Sequence, residues 1–324
     1  ISHRGPDDEG FVLGSDFTYA RGDDTIDHFA ELPHLRDLPP SNLVLGNRRL
    51  KILDLSWHGH QPMTTADKRF ATVFNGEIFN YKELAKELSD QGHNFTSSCD
   101  TEVMLAAFAQ QGPAAFDSFN GMWAAAFFDR DKGELILCRD RFGIKPLFYT
   151  EYEGGVLFAS EIKSLLPFKN VDEVNEKLAL DFLIFSTTDH ERETLFAGIK
   201  QVRPGHFLKV TEAGVSEHKW WDYTPQLNKD ITYEEAQKEL YSLFSRSIDL
   251  RLRSDVPVGV ALSGGLDSTS IACEIARKLP ENNDFHAFSA VYEEAEYSER
   301  QYVEDTIKQT HFTPHWISPS IDVI

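Results

Sequence analysis

Apolar residues crowd together over 43–55 and again over 70–79, runs rich in Val, Ile, Leu and Phe that predict two β-strands. The spacing then changes. Asn80 followed by Glu83 has the form of a capping box, and Leu84, Ala85 and Leu88 fall on one face of the helix it would open, which stops before Gly92. A second helix is predicted over 101–111, ended by Gly112. Strand pattern returns as two hairpins, 121–129 with 134–140 across Arg130-Asp131-Lys132-Gly133, and 146–152 with 156–160 across Gly154-Gly155. Strands, two helices and a strand meander make a layered α+β domain, with helices over an antiparallel sheet. The stretch 16–42, with Pro33, Pro39 and Pro40, has no sustained period and reads as a long surface connection.

The passage 211–230, with Trp220, Trp221 and Pro225, is irregular and reads as a linker, which divides the chain into 1–210, 211–230 and 231–324. Beyond it, Thr232 and Glu235 form a capping box for a helix with Ala236, Leu240, Phe244 and Ile248 at helical spacing, ended by Pro257. An apolar run at 258–262, a glycine turn at 263–268, a helix at 269–279 and a second apolar run at 285–291 then spell the opening βαβ of a parallel α/β sheet.

Composition narrows the function classes. With 324 residues, 41% of them hydrophobic, the chain can fill two cores. Its formal charge of −20 argues against nucleic acid or an anionic membrane surface as partner, because phosphates are met by positive patches. Cys99, Cys138 and Cys273 are widely spaced, with no CxxC pair, which suggests neither a disulfide framework nor a zinc knuckle and fits a reducing, cytoplasmic setting. No apolar run reaches the roughly 18 residues of a membrane span. The pair His58 and His60, in a Pro/Gly loop without further ligands, reads as structural rather than as a metal site. Cys138 reads as core, and 139–147 as a packing and turn signature.

The chemistry concentrates in Ser263-Gly264-Gly265-Leu266-Asp267-Ser268, set between an apolar strand and the first turn of a helix. Glycines bring backbone N–H groups close to an anion and the helix N-terminus adds partial positive charge, so the segment reads as a pyrophosphate cradle, distinct from both Walker A and GxGxxG loops. Asp267 suits Mg2+, which would bridge it to phosphates. The plain alternative is a glycine-rich turn with Asp267 and Ser268 as helix caps.

SGGLDS, preceded by Ser254-Asp255-Val256-Pro257-Val258-Gly259-Val260-Ala261-Leu262, resembles the synthetase domain of asparagine synthetases, members of the PP-loop ATP pyrophosphatases. The resemblance implies cleavage of ATP to AMP and pyrophosphate while a carboxylate becomes an acyl-adenylate. It implies an ATP site at Leu262, Ser263, Gly264, Gly265, Asp267, Ser268 and Ala290, with Mg2+ at Asp267 through the phosphates. Leu262 and Ala290 would line the adenosine pocket, packing being the alternative for Ala290.

The first domain is similar, segment by segment, to class II glutamine amidotransferases: His3-Arg4-Gly5-Pro6-Asp7, Arg49-Leu50, Asn75-Gly76-Glu77-Ile78, Asp100-Thr101-Glu102 and Arg139-Asp140-Arg141-Phe142-Gly143-Ile144-Lys145-Pro146-Leu147. This implies an N-terminal-nucleophile (αββα) glutaminase fold followed by part of an α/β PP-loop domain. By the same resemblance Asn75 and the Gly76 amide form an oxyanion hole, Arg49 forks onto the glutamine α-carboxylate, Asp100 takes its α-ammonium and Glu77 supports the pocket. Singly, each has a plainer reading: Asn75-Gly76 a turn, Arg49 a surface cation, Asp100 a helix cap. The family nucleophile, an N-terminal cysteine, would precede His3-Arg4 in a leading strand. The chain begins with Ile1 and ends at Ile324, before a second Gly/acid-rich segment of the family, and is expected to be a piece cut at both ends.

The implied reaction joins aspartate, glutamine and ATP to give asparagine, glutamate, AMP and pyrophosphate, with a homodimer left open. Two rivals remain: the same chemistry on a sugar acid, a peptide or a closing β-lactam ring, and a non-catalytic relative that binds glutamine or nucleotide without turnover.

Overall fold

The chain divides into two units, Ile1–Pro225 and Gln226–Ile324, and the computed structural model describes residues 1–169, 173–227, 230–279, 284–291 and 299–319. In the first unit, β1 (Asp8–Leu13), β2 (Thr18–Ala20) and β3 (Val44–Arg49) form an antiparallel sheet of order β2-β1-β3. After β4 (Met63–Thr64) and β5 (Phe70–Ile78) come α1 (Tyr81–Asp90) and α2 (Asp100–Gln111), then the hairpins β6 (Gly121–Asp129) with β7 (Glu134–Arg139) and β8 (Phe148–Tyr152) with β9 (Gly155–Ala159). The unit closes with α3 (Glu176–Phe185), β10 (Lys200–Gln201), β11 (His206–Thr211) and β12 (Gly214–Lys219). A six-stranded sheet runs β12-β11-β7-β6-β5-β4, and a third sheet runs β10-β8-β9.

Burial on both faces of the large sheet explains its apolar strands. Trp123, Ala125 and Phe127 of β6 turn toward Leu84, Leu88, Met104 and Phe108 of α1 and α2, where the Phe108 and Phe127 rings stack at 4.0 Å. Each such fully buried aromatic side chain contributes roughly 2–3 kcal/mol by leaving water. The intervening Ala124 and Ala126 face Val12, Leu45 and Tyr149 of the three-stranded sheets and Leu147 just before β8, their small side chains leaving room for sheet-on-sheet contact. Helices, sheet and sheets in layers give the expected α+β glutaminase architecture.

Three details depart from the sequence reading. β3 stops at Arg49 instead of continuing to 55, because 50–56 leaves the sheet to wrap the Arg49 guanidinium. The Asn80 side chain makes no helix cap: its Nδ2 donates to Ser118 O at 2.9 Å and its Oδ1 accepts from Asn120 N at 2.8 Å, tying the start of α1 to the entry of β6. Most of the expected linker 211–230 belongs to the first unit. β12 lies within it, and Trp220 stacks on Trp123 with ring centres 5.6 Å apart while its Nε1 donates to Arg139 O.

In the second unit, α4 (Tyr233–Arg251) opens with the capping box expected at Thr232 and Glu235 and ends at Arg251, ahead of Pro257. Strands β13 (Gly259–Ala261), β14 (His286–Ala290) and β15 (Thr313–Ile317) pair in parallel, joined by α5 (Leu266–Lys278) and α6 (Arg300–Thr310). Ile248, Leu262, Ala272, Ile275, Ala287, Val303 and Phe312 form its core. Among the described residues, no helix is long and apolar enough to cross a membrane.

Candidate active site

A cavity of about 530 Å³ in the first unit is walled by all five residues expected there: Arg49, Asn75, Gly76, Glu77 and Asp100. They arrive from β3, β5 and the first turn of α2.

The strand register settles which way Gly76 points. Trp123 donates its N–H to Asp140 Oδ2 at 3.1 Å and accepts at its carbonyl from Asp140 N at 2.9 Å, so both its polar backbone groups turn away from β5. Its cross-strand partner is Gly76. In an antiparallel ladder such a pair is non-hydrogen-bonded, and Gly76 must turn its own N–H off the opposite edge of β5. Two residues to either side, by the strand period, the N–H groups of Phe74 and Ile78 leave the same edge. Gln61 Oε1 caps the first and Asp100 Oδ2 the second, each at 2.8 Å. β4 pairs only with Ala71 and Thr72, so among the described residues no strand covers the Gly76 N–H, which opens on the cavity. A Cβ at Gly76 would overlap the Met122 carbonyl oxygen, so close pairing of β5 with β6 demands glycine here.

Arg49 differs from expectation. It is buried, and its Nη1 donates to Ser56 O at 3.0 Å while Nη2 donates to Leu53 O at 3.1 Å and Asp54 O at 2.6 Å. Three of its five N–H groups are thereby committed to the loop 53–56, and Gly59 packs so closely on the guanidinium that a Cβ would overlap it. A full two-pronged grip on a ligand carboxylate is therefore not preformed. Burial lowers the Arg49 pKa, opposed by the charges of nearby acidic groups.

Asp100 is no helix cap. Cys99 holds that position, and the Asp100 carboxylate is spent on the Ile78 N–H. Burial, opposed by that hydrogen bond and reinforced by the charge of Glu77, raises its pKa to about 7. Glu77 is itself pushed up by burial and pulled down by Lys145, another wall residue. The sequence reading missed Lys145, Gln61 and Ser160. Gln61 and Ser160 act through contacts between remote segments, and Lys145 sits inside a turn held by four bonds: the N–H groups of Phe142, Ile144 and Lys145 donate to the Asp140 carboxylate, and Lys145 O accepts from Arg139 Nε. His60 donates from Nδ1 to the buried Asp8 carboxylate at 2.8 Å.

In the second unit the loop 263–268 is closed by its own hydroxyls: Ser263 N–H meets Ser268 Oγ at 3.2 Å, Gly265 N–H meets Ser263 Oγ at 3.3 Å, and Ser268 Oγ donates to Gly265 O at 3.2 Å. Gly264 adopts φ +90°, a conformation that favours glycine. Gly265, not Asp267, is the N-cap of α5, so Asp267 stands exposed in the first turn with no hydrogen bond or ion pair among the described residues. Ala290 is exposed at the carboxyl end of β14. The Leu262 side chain is in the core, 1% exposed, its N–H donates to Phe288 O and its carbonyl accepts from Ser289 Oγ.

Residues 1–221 match the family model for a glutamine amidotransferase domain and residues 239–318 that for asparagine synthase. The chain is 33% identical over 258 residues to glutamine-hydrolysing asparagine synthetase 3 of Bacillus subtilis, covering 78% of this chain and 42% of that protein. Asparagine synthetase 1 of the same organism is 32% identical over 310 residues, covering 94% and 44%. Amidase chry2 of Gibberella zeae is 34% identical over 236 residues, covering 70% and 34%. The chain thus spans less than half the length of these relatives. Among solved structures, the glutamine phosphoribosylpyrophosphate amidotransferase of B. subtilis superposes with a TM-score of 0.50 at 16% identity, over 99% of this chain and 64% of that one, a likeness of fold.

Proposed function

The chain belongs to the glutamine amidotransferase family, with an asparagine synthase domain behind that domain, and from this premise we propose that its protein releases ammonia from glutamine and uses it to amidate an ATP-activated aspartate. The observation that carries the reading is the Gly76 N–H held open between two capped neighbours, with Asn75 beside it in the same cavity.

Attack of a cysteine thiolate on the glutamine amide carbon turns the carbonyl oxygen into an oxyanion, for which Asn75 Nδ2 and the Gly76 N–H are the donors. Collapse breaks the C–N bond, the nitrogen leaves as ammonia with the thiol proton, and water then splits the thioester to glutamate. The nucleophile needs a free α-amino group as proton shuttle. Cys99, Cys138 and Cys273 are all internal to the chain and cannot supply one. β3 and β9 are edge strands of their sheets, and residues of both wall the cavity, which is where a strand bearing the nucleophile would pair. Asp100 and Glu77 supply negative charge for the α-ammonium, and Arg49 its remaining N–H groups for the α-carboxylate.

In the second unit the hydroxyl-closed loop at the start of α5 fits an anion, and the exposed Asp267 carboxylate, without a partner among the described residues, is the hard oxygen donor that Mg2+ takes. Bound there, Mg2+ would neutralise charge on the phosphates of ATP. Ser263, Gly264, Gly265 and Ser268 would cradle the pyrophosphate, and Ala290 would border the nucleoside. The test is product analysis on the full-length protein with glutamine, ATP and aspartate: asparagine, glutamate, AMP and pyrophosphate are expected. ADP in place of AMP, or glutamate formation with no amidated product for any carboxylate offered, would refute the reading.

A further inference from the structure

Asn75 has two side-chain N–H groups, and the structure shows where one of them goes: Nδ2 donates to Ser160 Oγ at 3.3 Å, across 85 positions of sequence. Both residues wall the cavity. The contact matters because the terminal torsion of an asparagine is broad and two-fold, so an untethered amide presents its oxygen to the cavity as readily as its nitrogen. An oxygen turned toward a developing oxyanion would repel it. A hydroxyl oxygen accepting one N–H selects the orientation in which the other is delivered.

Ser160 is itself held. It follows β9, and the next residue, Glu161, meets Lys163 Nζ at 2.9 Å, Arg4 Nη1 at 3.1 Å and His3 Nε2 at 2.7 Å. These partners, Lys163 foremost, hold the Glu161 pKa down to about 2. The carboxylate thereby fixes the segment after β9 against the first turn of the chain, Ser2–Arg4. We infer that Ser160 is a positioning residue of the amide-hydrolysing site, orienting the Asn75 amide as oxyanion donor, with Glu161 anchoring it to His3 and Arg4. The inference rests on the glutaminase reading above.

The test uses the full-length protein and four variants, Ser160→Ala, Ser160→Thr, Asn75→Ala and the Ser160→Ala/Asn75→Ala pair, each checked for an unchanged melting temperature. Removing an oxyanion donor outright costs about 10²–10³ in kcat, and losing only its orientation a part of that. Ser160→Ala is expected to lower kcat for glutamine hydrolysis about tenfold with KM held within twofold, and Ser160→Thr, which keeps the hydroxyl, to restore it. In the Asn75→Ala background Ser160→Ala should cost nothing further, because it has no amide left to orient. A kcat for Ser160→Ala within twofold of the parent, a loss confined to KM, or a full additional loss in the double variant would overturn the inference. If the unmutated protein hydrolyses no glutamine, the glutaminase reading itself falls, a result distinct from all of these.

Discussion

The two units hold their chemistry in opposite ways. In the first, a cavity is assembled from residues as far apart as Arg4 and Ser164, brought together by strand register and by buried polar groups that cap one another. In the second, six consecutive residues, 263–268, run from just after β13 into the first turn of α5 and are closed by their own hydroxyls, with the key carboxylate exposed. A site of the first kind is sensitive to anything that moves a strand. A site of the second kind should respond chiefly to charge at one position.

The largest effect is therefore expected from Gly76→Ala. The added Cβ overlaps the Met122 carbonyl, so β5 must shift against β6 and carry Asn75 and the open N–H with it. Loss of both oxyanion donors predicts a fall in glutamine kcat of at least about 10³, with a stability cost of roughly 1–3 kcal/mol from overpacking. Pyrophosphate release with free ammonia should survive in the folded variant. Asp267→Asn tests the other half, because it keeps shape and removes charge. Pyrophosphate release should fall about 100-fold while glutamate formation continues, since Mg2+ loses its anionic donor. Equal loss of both activities in either variant would break the contrast between the units.

The same contrast governs how much could be read from sequence. SGGLDS was legible because its parts are adjacent, and the hairpins were legible because β6 and β7 are apolar almost throughout. β1 was not, because it opens with Asp8, Glu9 and Gly10, which look like loop. They are buried all the same: Asp8 pairs with His60, Glu9 with Arg48 at 2.6 Å, and Gly10 lies against the His60 ring. Polar residues that satisfy one another inside a fold erase the alternation by which strands are recognised. Arg49 was identified as a site residue, yet its commitment to three carbonyls depends on the path of 53–56, which no local pattern encodes.

A third prediction is smaller and depends on pH. Asp100 must be ionised to hold an ammonium, and in the free site its pKa stands at about 7. Because kcat/KM reports the free protein, glutamine kcat/KM should fall about tenfold per pH unit below 7, through KM rather than kcat. The stability sign is opposite to that of an ordinary salt-bridged carboxylate. With the folded pKa above the unfolded value of 3.8, the fold binds the proton more tightly than the unfolded chain does. The contribution is fully present below about pH 4 and is lost as pH rises through 7. Asp100→Asn should leave glutamine poorly bound at every pH and flatten that loss of stability between pH 4 and 7. A kcat/KM profile without a limb near 7 in the parent protein would remove Asp100 as the ammonium partner.

The smallest effect is expected at Thr232, where the second unit's dependence on local structure can be measured without touching its loop. The Thr232 hydroxyl accepts from Glu235 N–H at 3.3 Å, and the Glu235 carboxylate accepts in return from Thr232 N–H at 3.0 Å, so two backbone donors at the start of α4 are satisfied by two side chains. Thr232→Ala removes one half of that exchange and should cost about 1 kcal/mol. The first turn of α4 is exposed, so the penalty should be felt where it arises. Amide hydrogen exchange at Glu234, Glu235 and Ala236 should quicken about fivefold, the factor that ~1 kcal/mol gives at room temperature. The Ile78 amide, buried against Asp100 in the other unit, should keep its protection unchanged, as should glutamine hydrolysis. Exchange that quickens equally at Ile78 would mean that the cap stabilises more than its own helix, and the division into a register-built site and a locally built one would have to be redrawn.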